Sequence, residues 1–172
     1  MKIAIPLPSP VPFYPGGIEK LADGLAEALK RAGHQVETIR LPAPEQTFRQ
    51  VLASYIRFGR LDLRHFDLVI SLKYPGWMCR AYKHIVYMCH RLRGLYDTYP
   101  LPLGLKGWLS ASLFRFPGPL IRAIVHFLDG VGLSSRRVSH FFCLSETVRS
   151  RAEYFPTGCY DPVVVYPPSS LP

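Results

Sequence analysis

The first 33 residues constrain the fold of this chain more than any other stretch. Residues 1–5 form a short apolar run of the length expected for a buried strand, and a proline-broken loop is predicted at 6–15. The pair Gly16-Gly17 then opens a run with helical periodicity, and Gly33 stands where a helix C-cap would. The predicted unit is therefore strand, glycine turn, helix. The apolar stripe of that helix consists of Ile18, Leu21, Ala22, Leu25, Ala26 and Leu29.

The start of this helix is a candidate anion site. Two glycines allow the backbone to approach a ligand closely, and the first N–H groups of a helix have no partner within it. However, the sequence contains neither the Gly-x-Gly-x-x-Gly dinucleotide pattern nor the Gly-Lys-Ser/Thr of a P-loop. The Gly16-Gly17 pair alone therefore supports a phosphate role and a plain packing turn about equally.

Further strands and helices alternate along the rest of the chain. Strands are predicted at 34–41, 67–72, 84–89, 139–144 and 162–166, and helices at 47–58, within 106–128 and at 146–154. Strands that are apolar on both faces and alternate with helices predict an α/β fold, a Rossmann-like doubly wound parallel sheet with helices on both faces. At 172 residues, the chain is expected to form a single domain.

In such a sheet, ligands bind beyond the carboxyl ends of the strands. Four segments are expected at that rim: 12–17, 73–77, 90–96 and the helix start at Ser145. His90 is the first candidate because it directly follows a strand, and its neighbours Arg91 and Arg93 favour the uncharged ring. The other histidines (His34, His65, His84, His126 and His140) are interpreted as structural residues.

Basic and acidic side chains complete the predicted rim. Arg91, Arg93 and Lys73 are candidates for phosphate oxygens, or else they form a solvated basic edge. Glu19 is a candidate for a sugar hydroxyl, although a charge at the start of a helix is the somewhat stronger interpretation. Ser145 is interpreted first as an N-cap, and its helix amides could still serve an anion.

The composition limits the classes of ligand that this chain is expected to bind, but it does not select one class. The chain has 21 basic and 12 acidic residues, a net charge of +9, which favours a phosphorylated ligand, an anionic membrane surface or a nucleic acid. The four cysteines form no Cys-x-x-Cys pair, which indicates reduced thiols of a cytosolic protein and argues against a zinc site. No signal peptide or spanning helix is expected.

Residues 108–128 carry many large apolar side chains interspersed with basic ones. This pattern suits a segment lying on an anionic membrane surface, and it suits a buried core helix slightly better.

The order of these segments resembles the N-terminal half of retaining glycosyltransferases of family 4, the bacterial mannosyltransferase-like members included. The resemblance covers almost the whole chain and includes a departure, Arg91-Leu92, where the family usually has Thr-Pro. It is carried by Met-Lys-Ile-Ala-Ile at residue 1, Gly-Gly-Ile-Glu at residue 16, Asp-Leu-Val-Ile-Ser at residue 67, Ile-Val-Tyr-Met-Cys-His at residue 85, Arg-Gly-Leu-Tyr-Asp at residue 93, Leu-Ser-Glu-Thr-Val-Arg at residue 144 and Val-Val-Tyr-Pro-Pro at residue 164.

The resemblance implies a two-domain GT-B fold of which this chain is the N-terminal, acceptor-side domain, with the donor-binding domain expected after Pro172. It implies sugar transfer, with retention, from a nucleotide-sugar to a glycan or lipid-linked acceptor, in the cytoplasm or at the inner face of the membrane. No cofactor and no metal are expected. The implied catalytic residue is His90, the implied donor or phosphate contacts are Gly16, Gly17, Arg91, Arg93 and Ser145, and the expected acceptor contacts are Glu19, Lys73, Tyr74 and Tyr96.

Two rival functions remain open at the sequence level. One is a stand-alone Rossmann-like module that binds a nucleotide or a phosphorylated metabolite. The other is a nucleic-acid binder, which the positive charge would suit. The sequence shows neither a helix-turn-helix nor an aromatic-and-basic sheet face, so no nucleic acid is expected as a partner.

Overall fold

The computed structural model describes residues 1–10, 12–13, 16–96, 118–156 and 162–167. Strands and helices alternate along these residues. The strands are β1 (Lys2–Ser9), β2 (Gln35–Pro42), β3 (Leu68–Lys73), β4 (His84–His90), β5 (His140–Cys143) and β6 (Val163–Val164). The α-helices are α1 (Gly17–Arg31), α2 (Phe48–Arg60), α3 (Gly118–Gly132) and α4 (Glu146–Arg149), and short 3-10 turns lie at Gly76–Met78, Arg93–Leu95 and Ala152–Tyr154.

The six strands form one sheet in the order β2-β1-β3-β4-β5-β6. Every pair of neighbouring strands is parallel. The chain moves from β1 to β2 on one side and then returns to β3 on the other side of β1. The structure therefore confirms the predicted α/β fold, a Rossmann-like doubly wound parallel sheet.

Hydrophobic clusters cover both faces of the sheet, as strands buried on both sides require. On one face, α1 packs on β1 through a cluster that includes Ala22, Ala26 and the β1 residues Ile3, Ile5 and Leu7. On the other face, a cluster joins Tyr55 of α2 to Val125 of α3 and to Val86 and Met88 of β4. Strand β4 contributes to both clusters because successive side chains of a strand point to opposite faces of the sheet: Tyr87 belongs to the first cluster, and its neighbours belong to the second.

The structure extends β1 through Ser9, whereas the sequence predicts a loop from Pro6 onward. Pro6 and Pro8 are two residues apart, so the N–H groups that they lack fall on the same side of the strand. The pairing with β3 is registered only at Ile3 and Ala4, while the pairing with β2 continues to Ser9. The prolines are tolerated because the ladder with β3 has already ended where they occur.

The predicted helix boundaries in the first half of the chain are confirmed to within two residues. Thr47 caps α2, since its Oγ1 accepts a hydrogen bond from the Gln50 N–H at 3.3 Å. Gly33 adopts a φ of 84°, the left-handed conformation that a glycine accepts without strain after a helix.

The second half departs further from prediction. The expected helix at 146–154 is two pieces, α4 and the turn Ala152–Tyr154, because Arg151 leaves the helical conformation with φ −83° and ψ 84°, and Tyr154 beyond it is fully buried. The last strand has two residues and not five. The helix predicted within 106–128 is described from Gly118 onward as α3, and its earlier part lies outside the described residues.

Helix α3 has a buried side and an exposed apolar side. Val125 and Asp129 are buried, whereas Leu120, Phe127 and Val131 are 60%, 69% and 42% exposed. These three fall on one face of the helix, since Phe127 and Val131 lie seven and eleven residues after Leu120. Among the helices of the described residues, none combines the length and apolar character needed to cross a membrane.

Candidate functional site

The strand order reverses between β1 and β3. The connections from β1 and β3 leave in opposite directions there, which is where open α/β sheets hold their ligands. Ser9 ends β1 and Lys73 ends β3. Helix α1 begins at this same rim, because it must run back across the sheet before the parallel strand β2 can start.

His90 ends β4 at this rim, as predicted, and its register partner on β3 is Lys73. The ring of Tyr74 lies beside it, with 6.3 Å between the ring centroids. His90 is partly buried. The structure thus brings His90, Lys73 and Tyr74 together.

The backbone determines which nitrogen of His90 carries a proton. Its Nδ1 lies 2.9 Å from the carbonyl oxygen of Arg91. A carbonyl oxygen can only accept, so Nδ1 must donate and bears the hydrogen. In the uncharged ring, Nε2 is then the hydrogen-bond acceptor. This assignment follows from the chemistry of the partner.

Glu19 organises the start of α1. Its Oε2 accepts the backbone N–H of Gly16 at 2.9 Å, which is one half of a capping box. A Cβ at residue 16 would lie 2.9 Å from that oxygen, so a larger residue there would require the Glu19 carboxylate to shift. Gly17 is exposed, and a Cβ there would meet no atom within 4 Å. The N–H of Gly16 is therefore engaged by Glu19, and Gly17 is the glycine available to a ligand.

Lys73 links this helix start to β3 and β4. The side chain is buried, which lowers the pKa of its ammonium, and the charges of Glu19, Glu45 and Cys89 act in the opposite direction. Burial raises the pKa of the Cys89 thiol to about 11, and Lys73 and Arg93 oppose that shift. Glu19, Lys73 and Cys89 therefore share one electrostatic environment at the rim.

The side chain of Arg91 does not lie at the rim, where a residue that contacts phosphate oxygens was predicted. Its guanidinium is buried and donates to the Tyr154 carbonyl oxygen through Nε (3.2 Å) and one terminal nitrogen (3.0 Å). The other terminal nitrogen donates to the Tyr96 hydroxyl at 2.7 Å. Because its donors are engaged inside the protein, we leave Arg91 out of the proposed site. The sequence gives no sign of this, since the partners are distant in the chain.

Tyr96, an expected acceptor contact, is also buried. Its hydroxyl donates to Asp129 Oδ2 at 2.9 Å, and its ring stacks on His126 with centroids 4.0 Å apart. Asp129 Oδ1 accepts from Tyr55 (2.7 Å) and from Trp77 (2.9 Å). Burial raises the pKa of the Asp129 carboxyl, and these donors together with Arg91 oppose the shift. We call Asp129 and its partners Tyr55, Trp77, Tyr96 and Arg91 the Asp129 hub.

Ser145 and Arg93 complete the predicted set. Ser145 Oγ accepts the Val148 N–H at 3.3 Å, so its first interpretation as an N-cap is confirmed. The helix that it caps has only four residues. Arg93 is exposed in the turn after β4, and its charge reaches Cys89.

Ser9 is a rim residue that sequence reasoning missed. It lies inside the segment interpreted as a loop, yet it continues the alternation of Ile3, Ile5 and Leu7 on one face of β1. That alternation, carried across the prolines, was the available signal. Ser9 is 8% exposed, and its Oγ has no hydrogen-bond partner among the described residues.

No group of three or more His, Cys, Asp or Glu side chains within the described ranges could hold a metal ion. The expectation that the activity needs no metal stays a prediction. No protein-family model, no curated protein and no solved structure matches this chain. Its function therefore has to be inferred from the chemistry of the rim.

Proposed function

We propose that this chain is the acceptor-side half of a retaining glycosyltransferase with a GT-B arrangement. The enzyme would move a sugar from a nucleotide-sugar to a hydroxyl of a glycan or lipid-linked acceptor, in cell-surface polysaccharide or lipopolysaccharide synthesis in the cytoplasm. The sequence resemblance to family 4 suggests this activity, and the Rossmann-like sheet is the fold that it requires.

The observation that carries the proposal is the position of His90. It ends β4, the strand that neighbours β3, and it lies next to Tyr74 and in register with Lys73. The bond from Nδ1 to Arg91 O holds the ring and leaves Nε2 as the acceptor of the neutral form. An imidazole held in this way can accept a hydrogen bond from a hydroxyl of the transferred sugar without adding charge.

In the transfer, the bond between the anomeric carbon and the diphosphate oxygen breaks and a bond to the acceptor oxygen forms. The nucleoside diphosphate leaves with the electron pair, and its departing oxygen takes the proton that the acceptor hydroxyl loses. Gly17 N–H and the exposed guanidinium of Arg93 are the described groups that remain candidates for the departing phosphates. We propose that a second domain supplies the rest of the donor site.

The coding sequence beyond codon 172 tests the two-domain arrangement. We expect it to encode a second α/β domain with two glutamates separated by seven residues. A stop codon directly after Pro172, together with tight nucleotide binding by the 172-residue chain, would favour the stand-alone Rossmann-like module instead. The parallel sheet and its reversal of strand order suit that second candidate equally well.

His90→Ala in the complete gene product tests the proposed role of the imidazole. We expect the turnover of nucleotide-sugar to fall about 100-fold or more, because an oriented contact near the reacting carbon is lost. His65→Ala is the matched control, since His65 is exposed and precedes the opposite end of β3. Circular dichroism would establish that both variants fold. Turnover that is unchanged in folded His90→Ala would remove His90 from the site.

Peripheral contact with the membrane is a further part of the proposal. It is supported by the exposed apolar face of α3, formed by Leu120, Phe127 and Val131. Flotation with vesicles that contain anionic lipid should recover the chain, and Phe127→Glu should reduce that recovery. Equal recovery of both proteins would remove this face from membrane binding.

A further inference from the structure

Two buried oxygen atoms at the rim lack a hydrogen-bond partner among the described residues: Ser9 Oγ and Glu19 Oε1. Ser9 is 8% exposed and Glu19 is 3% exposed. Buried polar atoms are nearly always paired in folded proteins, because leaving one unpaired costs free energy. Both atoms therefore need a hydrogen-bond partner that the described protein groups do not supply: a donor for Glu19 Oε1, and a donor or an acceptor for Ser9 Oγ.

The fold brings these two residues to the same end of one packed layer. Ser9 is two positions beyond Leu7 on the face of β1 that packs on α1. Glu19 precedes Ala22 by three positions on the buried side of α1. Because α1 runs back along β1, the carboxyl end of the strand and the first turn of the helix lie together. We call these two residues the Ser9–Glu19 pair.

The charge at this place selects the kind of ligand. Glu19 Oε2 is already bonded to the Gly16 N–H, so on the buried side of the α1 start a carboxylate occupies the place where an anion would otherwise bind, whereas Gly17 lies on the exposed side. A phosphate placed against Glu19 would meet a buried carboxylate, and the buried ammonium of Lys73, which interacts with Glu19, is shared with Glu45. A hydroxyl group has no charge to repel and donates directly to the unpaired carboxylate oxygen. Ser9 Oγ can donate to or accept from a second hydroxyl.

We propose that the Ser9–Glu19 pair is a carbohydrate subsite that binds neighbouring hydroxyl groups of a neutral sugar. Glu19 Oε1 accepts from one hydroxyl, and Ser9 Oγ exchanges a hydrogen bond with the next. That this sugar is the acceptor of the transfer rests on the proposed function. The preference for hydroxyl groups over phosphate rests only on burial, on the unpaired oxygens and on the carboxylate at the helix start.

The test is a titration of the 15N-labelled chain with methyl α-D-mannopyranoside, methyl α-D-glucopyranoside and methyl α-D-galactopyranoside, and separately with inorganic phosphate. At least one glycoside should shift the amide signals of Ser9 and of residues 16–20. Ser9→Ala should lower the affinity for that glycoside about 5-fold, the size expected for losing one neutral hydrogen bond. Glu19→Gln should lower it about 10-fold, because the hydrogen bond lost is to a charged group. Glutamine can still accept the Gly16 N–H, so the helix cap is kept.

Ser135→Ala and Glu27→Gln are the matched controls, since both residues are exposed. Their affinity for the glycoside should equal that of the unmodified chain. The proposal is overturned if no glycoside shifts these amides, because ordered water would then be the partner of the two oxygens. It is also overturned if both rim variants bind the glycoside unchanged, or if phosphate binds there more tightly than every glycoside.

The outcome is separable from that of the proposed function. Glycoside binding that depends on Ser9 and Glu19, in a protein that transfers no sugar, would keep the subsite and reject the transferase. Sugar transfer by the complete gene product, without such binding, would keep the transferase and reject the subsite.

Discussion

The Asp129 hub and the Ser9–Glu19 pair are both buried polar clusters, and they differ in whether their atoms are paired. Asp129 accepts from three side chains through its two oxygens, at 2.7, 2.9 and 2.9 Å. Glu19 has one oxygen bonded to the Gly16 N–H and one without a partner among the described residues. The Oγ of Ser9 also lacks such a partner. The fold supplies hydrogen-bond donors to both oxygens of Asp129, but to only one oxygen of Glu19.

This difference separates residues that hold the structure from residues that can hold a ligand. The hub ties α2, α3 and the turns after β3 and β4 to one another, so its side chains have little capacity left for a substrate. The rim pair contributes less to folding and keeps hydrogen-bonding capacity. Substitutions should therefore divide into those that change stability and those that change binding.

The largest loss of stability is expected for Asp129→Ala. The change leaves the hydroxyls of Tyr55 and Tyr96 and the indole N–H of Trp77 without an acceptor, beside the buried charge of Arg91. We expect a loss of about 3–5 kcal/mol in the free energy of unfolding, measured with urea. Glu27→Ala, on the exposed side of α1, should cost less than about 0.5 kcal/mol. A loss below about 1 kcal/mol for Asp129→Ala would show that the hub does not hold the fold.

Acidification should also destabilise the chain strongly, through His84. Burial lowers the pKa of His84 to about 4, with help from the charge of Arg137, and the ring is bonded to Ser71 Oγ at 2.7 Å. In the unfolded chain this ring binds a proton near pH 6.5. The stability that comes from a neutral His84 in the folded chain is therefore fully present above pH 6.5 and is lost as the pH falls toward 4. It amounts to about 3 kcal/mol.

Urea unfolding between pH 7 and 4 measures this effect, with His84→Gln as the comparison. The variant should lose less stability over that range than the unmodified chain. Identical slopes for the two proteins would mean that His84 does not remain neutral in the folded chain. The result would distinguish the two histidines of β4: His84, which is hydrogen-bonded in the core, and His90, which lies at the rim.

Tyr96→Phe should have an intermediate effect. It removes the hydroxyl that donates to Asp129 and accepts from Arg91, and we expect a loss of about 1–2 kcal/mol. Tyr82→Phe is the control because Tyr82 is 78% exposed, and its stability should be unchanged. If Tyr96→Phe keeps full stability but loses binding of a glycoside, Tyr96 belongs to the acceptor site as the sequence predicts.

The smallest effect on stability is expected for Ser9→Ala. Removing an unpaired buried hydroxyl should leave the free energy of unfolding unchanged within about 0.5 kcal/mol, or raise it slightly. Urea unfolding beside Ser135→Ala measures this difference. A loss above about 1 kcal/mol would indicate that Ser9 Oγ has a partner inside the fold, and the contrast with the hub would then fail.

The sequence was sufficient for the order of the strands along the chain, though not for the end of β1 or the length of β6, because each strand is a short apolar or alternating run that needs only its own residues to be identified. It was also sufficient for the place of His90, since the carboxyl ends of parallel strands always meet at one rim. It was insufficient for Arg91, whose position depends on Tyr154, 63 residues away. It also missed Ser9, because the tolerance of β1 for two prolines depends on where its pairing with β3 ends.

The most direct test of this account is a crystal structure of the chain with the tightest-binding methyl glycoside. The account predicts sugar hydroxyl oxygens about 2.6–3.0 Å from both Ser9 Oγ and Glu19 Oε1, with the Asp129 hub unchanged. A glycoside bound elsewhere, with both oxygens hydrogen-bonded to protein groups, would contradict it.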